Sequence, residues 1–205
     1  MVQGSSEWLM ERCGKVTASR VGDIMAKTKS GYSAGRANYM AQLLCERMTG
    51  SVEESFKSEA MRWGTEKEPE ARSIYEALNL TVVEEYGFGM HPEIPYFGAS
   101  PDGLIGEDGG LEIKCPNTAT HIETLLDGTV KRQYLLQMQT AMAVFNREWW
   151  DFVSYDPRMA DGLKIWVKRV DRDNSLIAEI ESEVIKFNAE LEAKIEQLQK
   201  MKEEA

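Results

Sequence analysis

The chain has little cysteine and no paired cysteine motif. Its 205 residues include three cysteines, and none of them is spaced as CxxC. An odd number of isolated thiols argues against a disulfide framework. The same spacing argues against a zinc knuckle and a four-thiolate iron–sulfur cluster.

Long hydrophobic runs are also missing. No apolar stretch approaches the ~20 residues that a membrane-spanning helix needs. The opening residues MVQGSSEWLMERCG lack a basic region followed by an apolar one, so they do not form a secretion signal. We therefore expect a cytoplasmic protein without a membrane partner. Repeats, low-complexity tracts and flexible linkers are absent too, which favours a single domain over residues 1–205.

Positive charge is scarce overall, with a net charge of −10 that opposes nucleic-acid binding. The charge is unevenly spread. Residues 12–36 hold six basic residues against one acid, a local +5, while residues 171–205 hold ten acids and five bases, a local −5. One end of the chain could therefore face an anion. On charge alone, an ordinary solvated helix face explains the basic segment equally well.

Hydrophobic periodicity predicts an α/β fold with a central mixed β-sheet flanked by helices. The expected core spans about residues 8–171, followed by an amphipathic helix over about 173–202. The other predicted helices, in chain order, are TASRVGDIMAK, RANYMAQLLCERMTG, GTEKEPEARSIYEALN, TATHIETLLDG and VKRQYLLQMQTAMAVF. The predicted strands are LTVVEEYGF, PYFGAS, DGLIG, GLEIKC, EWWDFVSYD and LKIWVKRVD.

Two acids and a lysine stand out in the stretch GASPDGLIGEDGGLEIKCP, residues 98–116. The GEDGG segment has turn chemistry, and Asp102 and Glu112 lie symmetrically about Glu107. In an antiparallel hairpin they would sit opposite each other with Cβ atoms ~5 Å apart. By the period of two, Glu112 and Lys114 share one strand face, while the apolar residues between them take the other.

Carboxylates this close repel each other unless a cation lies between them or one is protonated. Hard oxygen ligands suit Mg²⁺ or Mn²⁺, and the lysine adds a positive donor beside the metal. A bare Glu-x-Lys would usually be an exposed ion pair. The full pattern of Pro-Asp followed by Glu-x-Lys-Cys-Pro in one hairpin favours a metal site.

At these residues the sequence resembles the phage lambda exonuclease and YqaJ-type viral recombinase family of PD-(D/E)XK nucleases. SPDG and LEIKCP resemble its central signature, and WLMERCGKVTAS resembles its N-terminal motif. WGTEKEPEAR, YLLQMQ and YDPRM resemble further motifs, so the likeness runs from Trp8 to Met159. The resemblance implies the restriction-endonuclease-like fold, with a central mixed sheet flanked by helices.

The resemblance also implies residue roles. Asp102, Glu112, Glu68 and the backbone carbonyl of Ile113 would hold the metal. Lys114 would orient or deprotonate the attacking water. Glu68 has a competing interpretation, because Thr65 and Glu68 are spaced like a helix capping box.

A glutamine-bearing helix borders the active site in the family. Gln137 matches the family glutamine better than Gln139, for which a packing role is equally reasonable.

Arg12 and Ser19 match family residues that hold the 5′-phosphate of DNA. The physical argument agrees, because Thr17 and Ser19 lie at a predicted helix start whose free N–H groups favour an anion. Arg12 adds a cation that can bind in a bidentate manner. The alternative for Arg12 is a surface arginine packed on Trp8. Lys29 and Ser30 could extend this pocket.

The chain departs from the family pattern at two positions. The nearest acid before SPDG is Glu93, one place displaced, which leaves the ligands of a second metal open. His121 stands where the family has a basic contact after Cys-Pro, and a surface histidine is an equal reading.

The sequence therefore predicts a Mg²⁺-dependent enzyme, with Mn²⁺ as an alternative, that degrades one strand of duplex DNA in the 5′-to-3′ direction. It would start at 5′-phosphorylated ends and leave a 3′ overhang for recombination. The resemblance further implies a homotrimeric ring and a single-strand annealing protein as partner. The alternatives are a structure-specific or restriction-type endonuclease on the same core, and a non-catalytic protein that binds DNA or a partner.

Overall fold

The computed structural model describes residues 3–29, 31–52 and 58–204. The helices are α1 (Ser6–Arg12), α2 (Val21–Met25), α3 (Ala34–Thr49), α4 (Glu59–Asn79), α5 (Thr118–Asp127), α6 (Arg132–Phe145) and α7 (Asn174–Glu203). A short 3₁₀ helix over Ala18–Arg20 precedes α2. The strands are β1 (Val16–Thr17), β2 (Lys27–Thr28), β3 (Gly31–Tyr32), β4 (Gly89–Met90), β5 (Phe97–Ala99), β6 (Gly103–Ile105), β7 (Gly109–Lys114), β8 (Trp149–Tyr155) and β9 (Ile165–Asp171).

The main sheet has four strands in the order β6-β7-β8-β9. The β7–β8 pair is parallel, and the two outer pairs are antiparallel, so the sheet is mixed as predicted. A smaller sheet has the order β1-β5-β4, and β2 and β3 form a hairpin of their own.

Helices cover both faces of the main sheet. On one face, Ala71 and Tyr75 of α4 pack against Leu111, Ile113 and Val153. On the other face, the packing involves α6 and the alternate residues of β8, with Met138, Met142, Trp150 and Phe152 in one cluster. Side chains of a strand alternate between faces, so this arrangement places the residues flanking Ile113 on the α6 side.

The long helix α7 closes a third apolar cluster. Its residues Ile180, Val184, Phe187 and Leu191 are almost fully buried, and they pack with side chains of α2 and α3. The predicted amphipathic helix is therefore confirmed.

The α2 region differs from the prediction. Val16 and Thr17 pair with β5 as a strand, so TASRVGDIMAK is a strand, a 3₁₀ turn and a five-residue helix. Thr17 makes no side-chain capping bond.

The strand predicted in LTVVEEYGF is absent except for one bridge between Glu84 and Leu104, and the short β4 begins directly after the segment. Val83 packs on the main sheet with Ile105 and Leu111, whereas Val82 is exposed, so the segment lacks the two packed faces of an inner strand.

Helix α4 begins earlier than the sequence pattern indicated. Ser58 is the N-cap and accepts a hydrogen bond from the backbone N–H of Met61 at 3.2 Å. Thr65 therefore lies inside the helix, where its hydroxyl donates to the carbonyl of Met61. The predicted capping box of Thr65 and Glu68 is wrong, because a cap residue must precede the helix. Glu68 is thus not engaged at a helix end.

Candidate active site

The hairpin β6–β7 brings Asp102 and Glu112 together. Gly103 pairs with Leu111 and Leu104 pairs with Gly110. Extending this register by one residue sets Asp102 opposite Glu112, as the symmetry about Glu107 predicted. The turn between the strands uses Gly106 with φ of 54°, a conformation that favours glycine.

Asp102 is fixed by the neighbouring strand. Its Oδ2 accepts a hydrogen bond from the backbone N–H of Ile113 at 2.6 Å. Burial raises the pKa of Asp102, while the charge of Lys114 and the Ile113 N–H oppose the rise. One carboxylate oxygen is therefore oriented by the backbone.

Glu112 is the most deeply buried acid of the group, with 1% of its surface exposed. Burial raises its pKa to about 8, and the nearby charges of Asp102 and Glu68 add to this effect against the attraction of Lys114. Its Oε1 forms an ion pair with the Lys114 ammonium. Among the described residues, this oxygen has no partner with hydrogen-bond geometry.

Lys114 is held as a cation. Burial alone would lower its pKa, but the carboxylates of Glu112 and Asp102 outweigh burial and raise it. The ammonium also lies 5.3 Å from the centre of the Tyr134 ring on α6. Of the two roles expected for Lys114, donation to a water or phosphate therefore fits this arrangement better than proton abstraction.

Glu68 joins the group from α4. Burial raises its pKa to about 7, and the charge of Asp102 is the next cause. Arg72, one turn further along the helix, donates to Glu68 Oε1 at 2.9 Å. Glu68, Asp102 and Glu112, which we call the acidic group, thus influence one another although they come from two parts of the chain.

A divalent cation fits this donor set. Burial and mutual repulsion raise the pKa values of Glu68 and Glu112, so a cation beside them would favour their charged forms. The buried Glu112 Oε1 has the Lys114 ammonium as its ion-pair partner. Across the described residues, no group of three or more His, Cys, Asp or Glu side chains is arranged to hold a metal ion by itself. Backbone carbonyl and water oxygens would therefore complete the shell, as is usual for Mg²⁺.

Cys115 follows Lys114 but is not a candidate nucleophile. Burial raises the pKa of its thiol to about 12, and the Glu68 and Asp102 charges act in the same direction. The thiolate, which is the reactive form, is therefore disfavoured.

One cavity of about 140 Å³ unites residues that the sequence placed in two separate groups. It is lined by Asp102 of the acidic group, Gln137 of α6, and Arg12 and Ser19 of the expected phosphate site. The remaining lining residues are Gln3, Trp8, Thr17, Ala18 and Ser100.

Arg12 both packs on Trp8 and faces the cavity. Its guanidinium carbon lies 3.8 Å from the centre of the Trp8 ring. Burial lowers the pKa of Arg12 to about 10, so the group remains charged at neutral pH. It forms no ion pair with an acid in the described part of the chain. The two readings of Arg12 are therefore compatible.

The helix-start argument for Ser19 is not supported by the fold. Ser19 belongs to a three-residue 3₁₀ turn before a five-residue helix, too short for a sizeable helix dipole. Its hydroxyl and that of Thr17 lie 3.4 Å apart on the cavity wall. Lys29 is exposed on the chain after β2, and Ser30 lies outside the described residues.

The other polar candidates have structural partners. Gln139 is buried, donates to the Asp171 carbonyl and accepts from the Asp173 N–H, so it joins α6 to the start of α7. His121 is fully buried between the Ser154 hydroxyl and the Leu163 carbonyl, which contradicts both readings of it as an exposed or substitute residue. Glu93 is exposed and does not line the cavity.

Sequence reasoning missed Ser100 and Gln3. The Trp8 indole N–H donates to Ser100 Oγ at 2.9 Å, and the Gln3 amide donates to the carbonyls of Pro101 and Tyr86. Ser100 precedes the Pro-Asp pair directly, a position that could have identified it. Gln3 gave no signal in the sequence.

A model of the YqaJ-like viral recombinase domain matches residues 7–148. A crystal structure of an alkaline exonuclease from Laribacter hongkongensis is 52% identical, covers 98% of this chain and 99% of its own, and has a TM-score of 0.92. A crystal structure of the same exonuclease in complex with dAMP gives the same values.

A phage-related exonuclease from Haemophilus somnus 129PT is more distant. It is 16% identical, covers 90% of this chain and 96% of its own, and has a TM-score of 0.71, which shows a shared fold alone. A search of curated proteins found no match.

Proposed function

Because this chain belongs to the family of YqaJ-like viral recombinase domains, we propose that it is a metal-dependent deoxyribonuclease that digests linear duplex DNA from its ends. Its fold is the PD-(D/E)XK type, a mixed sheet flanked by helices. We assign the activity to one nuclease domain spanning residues 1–205.

One observation carries the proposal. Arg12 and Ser19 share a cavity with Asp102 and Gln137. A terminal phosphate carries more negative charge than an internal diester, so a half-buried arginine that forms no ion pair among the described residues favours a strand end over an internal position. An end held there places the first internucleotide bond beside the acidic group, which explains removal of nucleotides from an end.

The residues of the acidic group divide the work. Asp102, Glu112, Glu68 and the Ile113 carbonyl would hold Mg²⁺, or Mn²⁺ in its place. When bound, the metal supplies positive charge at the scissile phosphate and lowers the pKa of a water. Lys114, as an ammonium paired with Glu112, donates to the attacking water or to a phosphate oxygen as negative charge develops. Gln137 lines the cavity and orients the nucleotide by hydrogen bonding.

The relative from Laribacter hongkongensis supports this product class. It is an alkaline exonuclease and has been crystallised with dAMP, a deoxynucleoside monophosphate. We propose that this chain likewise releases mononucleotides, in the 5′-to-3′ direction, and leaves a 3′ single-stranded overhang for recombination.

The assembly and partners are part of the same proposal. We infer a homotrimeric ring around the DNA and a single-strand annealing protein that receives the overhang. No described helix is long and apolar enough to cross a membrane. The cytoplasmic location expected from the sequence stays a prediction.

Digestion of matched linear and covalently closed circular duplexes tests the activity. With Mg²⁺ the linear DNA should disappear and the circle should remain, whereas with a chelator the linear DNA should remain as well. Asp102→Asn and Lys114→Ala should each cut at rates lower by roughly a hundredfold or more, since charge stabilisation at the phosphate is lost. Both variants should still bind DNA. Cleavage of the closed circle would instead establish an endonuclease, and no cleavage of either substrate would indicate a binding protein.

A further inference from the structure

The segment Tyr155-Asp-Pro-Arg-Met begins at the last residue of β8 and takes no part in the chemistry above. Asp156 is fully buried and accepts three hydrogen bonds from Arg158, from its backbone N–H at 3.0 Å, Nε at 2.7 Å and Nη2 at 3.1 Å. Such a bidentate, charge-assisted pair holds the arginine side chain in one orientation.

In this orientation the Arg158 side chain contacts the residues after β7 and the helix α4. Its Nη2 donates to the carbonyl of Pro116, two residues after Lys114, at 3.3 Å. Its guanidinium carbon lies 4.5 Å from the centre of the Trp63 ring on α4. The segment therefore contacts both the end of β7 and the helix that carries Glu68.

A second contact reaches the same helix. The Tyr155 hydroxyl donates to Glu70 Oε1 at 2.6 Å. Trp63 precedes Glu68 by five residues, and Glu70 follows it by two. The contacts from the Tyr155–Arg158 segment thus lie on both sides of Glu68 along α4.

The helix needs such support at this point. Pro69 lies inside α4, directly after Glu68. Proline has no backbone N–H, so it removes one helical hydrogen bond at that turn and disturbs the preceding turn. The backbone beside Glu68 is consequently less restrained by the helix itself than elsewhere in α4.

We propose that Tyr155, Asp156 and Arg158 are positioning residues that hold the Glu68-bearing turn of α4 against the end of β7. They act through Glu68 and Lys114 and touch neither metal nor DNA. This inference rests on the proposed function, because it assigns the positions of two residues of the proposed active site. Groups that orient metal ligands typically change metal affinity or activity by about 10- to 100-fold when removed.

The chain offers a closely matched control. Tyr75 on α4 donates to Asp151 Oδ2 on β8 at 2.7 Å, so it also forms a tyrosine–carboxylate bond between α4 and β8. Both tyrosines have 1% of their surface exposed. Tyr155→Phe and Tyr75→Phe each remove one buried hydroxyl from the same helix–strand contact, but Tyr155 bonds to Glu70, two residues from Glu68, whereas Tyr75 lies seven residues from Glu68 along α4.

Two readouts on the full chain separate positioning from packing. The first is kcat and KM for a 5′-phosphorylated linear duplex at saturating Mg²⁺. The second is the rise in Tm caused by Mg²⁺ in the absence of DNA, titrated to give an apparent Mg²⁺ affinity. Tyr155→Phe should lower kcat and weaken Mg²⁺ binding roughly tenfold each, with KM unchanged. Tyr75→Phe should lower the metal-free Tm about as much as Tyr155→Phe does. It should change kcat and Mg²⁺ affinity less than twofold.

Arg158→Lys extends the test, because it keeps the charge but loses the bidentate pair. It should behave like Tyr155→Phe. Equal effects of Tyr155→Phe and Tyr75→Phe on both readouts would overturn the proposal, as would a rise in KM alone, which would indicate contact with DNA. If the parent chain failed to cleave DNA, the proposed function would be lost, and the Mg²⁺ titration would still decide whether these residues position Glu68.

Discussion

At the scale of single residues, burial of the acidic group lowers the free energy of unfolding of the metal-free protein. The pKa values of Glu112 and Glu68 are raised by burial and by the charge of Asp102, although Lys114 pairs with Glu112 and Arg72 pairs with Glu68. Burying like charges is unfavourable unless a cation joins them. An arrangement of this kind in a folded protein is typical of a functional site.

The acidic group predicts an unusual pH dependence of the metal-free protein. The folded-state pKa values are about 7 for Glu68 and about 8 for Glu112, both above the ordinary value for glutamate. Between about pH 5 and pH 8 the folded state binds more protons than the unfolded state, so the free energy of unfolding should fall as pH rises. Thermal melts in the presence of a chelator measure this slope.

Two variants make the pH measurement specific. Glu112→Gln should flatten the slope and raise Tm at pH 8, whereas Glu107→Gln, at the exposed turn of the same hairpin, should leave both unchanged. Added Mg²⁺ should restore stability at pH 8 in the parent and do so less in Glu112→Gln. A metal-free melt that is flat across this pH range would contradict the charge arrangement.

We propose that Arg12 provides the preference for a phosphorylated end. A charge-assisted contact of this kind contributes ~1.5–3 kcal/mol, or roughly a tenfold to hundredfold effect. Arg12→Ala should slow digestion of 5′-phosphorylated duplexes by about that factor and 5′-hydroxyl duplexes much less. Ser19→Ala should act in the same direction but less strongly. Initial rates on paired duplexes that differ only in this phosphate measure it; equal slowing of both would assign Arg12 to packing or general DNA binding.

The sequence was sufficient to predict the positions of single residues where short-range turn geometry determines which residues face each other. A turn centred on Glu107 fixes the register, and the register alone sets Asp102 opposite Glu112. The sequence was not sufficient where residues distant in sequence determine whether a side chain is buried. His121 is the single histidine of its sequence segment, and its polarity suggests exposure. Its burial depends on Ser154 and Leu163, which are distant in sequence.

At the scale of elements, sequence patterns identified most helices and strands but not all of their boundaries. The amphipathic stripe of α7 and the Gly50 stop of α3 were sufficient to predict those helices. The start of α4 was missed because Ser58 and Thr65 are both acceptable caps by composition. Thr17 was placed in a predicted helix because it is strand only through pairing with β5, which is distant in sequence.

Helix α7 should contribute to stability through its buried residues up to Ile195 and little through its last two turns. Phe187 is fully buried and stacks on Tyr39 with ring centres 5.8 Å apart, whereas Leu198 near the end of the helix is 37% exposed. Phe187→Ala should reduce the free energy of unfolding by about 3–5 kcal/mol. Leu198→Ala should cost less than about 1 kcal/mol. Urea melts measure both, and comparable losses would show that the helix end is also packed, for instance on another subunit.

At the scale of the whole molecule, the uneven charge has a structural explanation. Arg36 of the basic segment pairs with Glu190 of α7, and Arg20 pairs with Asp23. The acidic helix therefore neutralises part of the basic segment, which the sequence alone could not reveal. Arg12, without such an ion pair in the described chain, is left to face the cavity.

Assembly can be tested directly. A chain of 23.2 kDa is small beside a duplex, so continuous digestion needs a structure that keeps the DNA from leaving. We expect a homotrimer, with a mass of about three times that of the chain, by light scattering at micromolar concentration. A monomer under these conditions would contradict the ring, although it would leave the nuclease assignment intact.

Digestion of linear duplexes labelled at either end tests the central claim most directly. Each duplex carries a 5′-phosphate or a 5′-hydroxyl, and products are resolved at early times with Mg²⁺ or chelator. We predict that the 5′ label is released first as a mononucleotide, faster from the phosphorylated end and only with metal. The 3′ label should remain on a shortening strand. Early release of the 3′ label, or internal fragments from either duplex, would contradict the account.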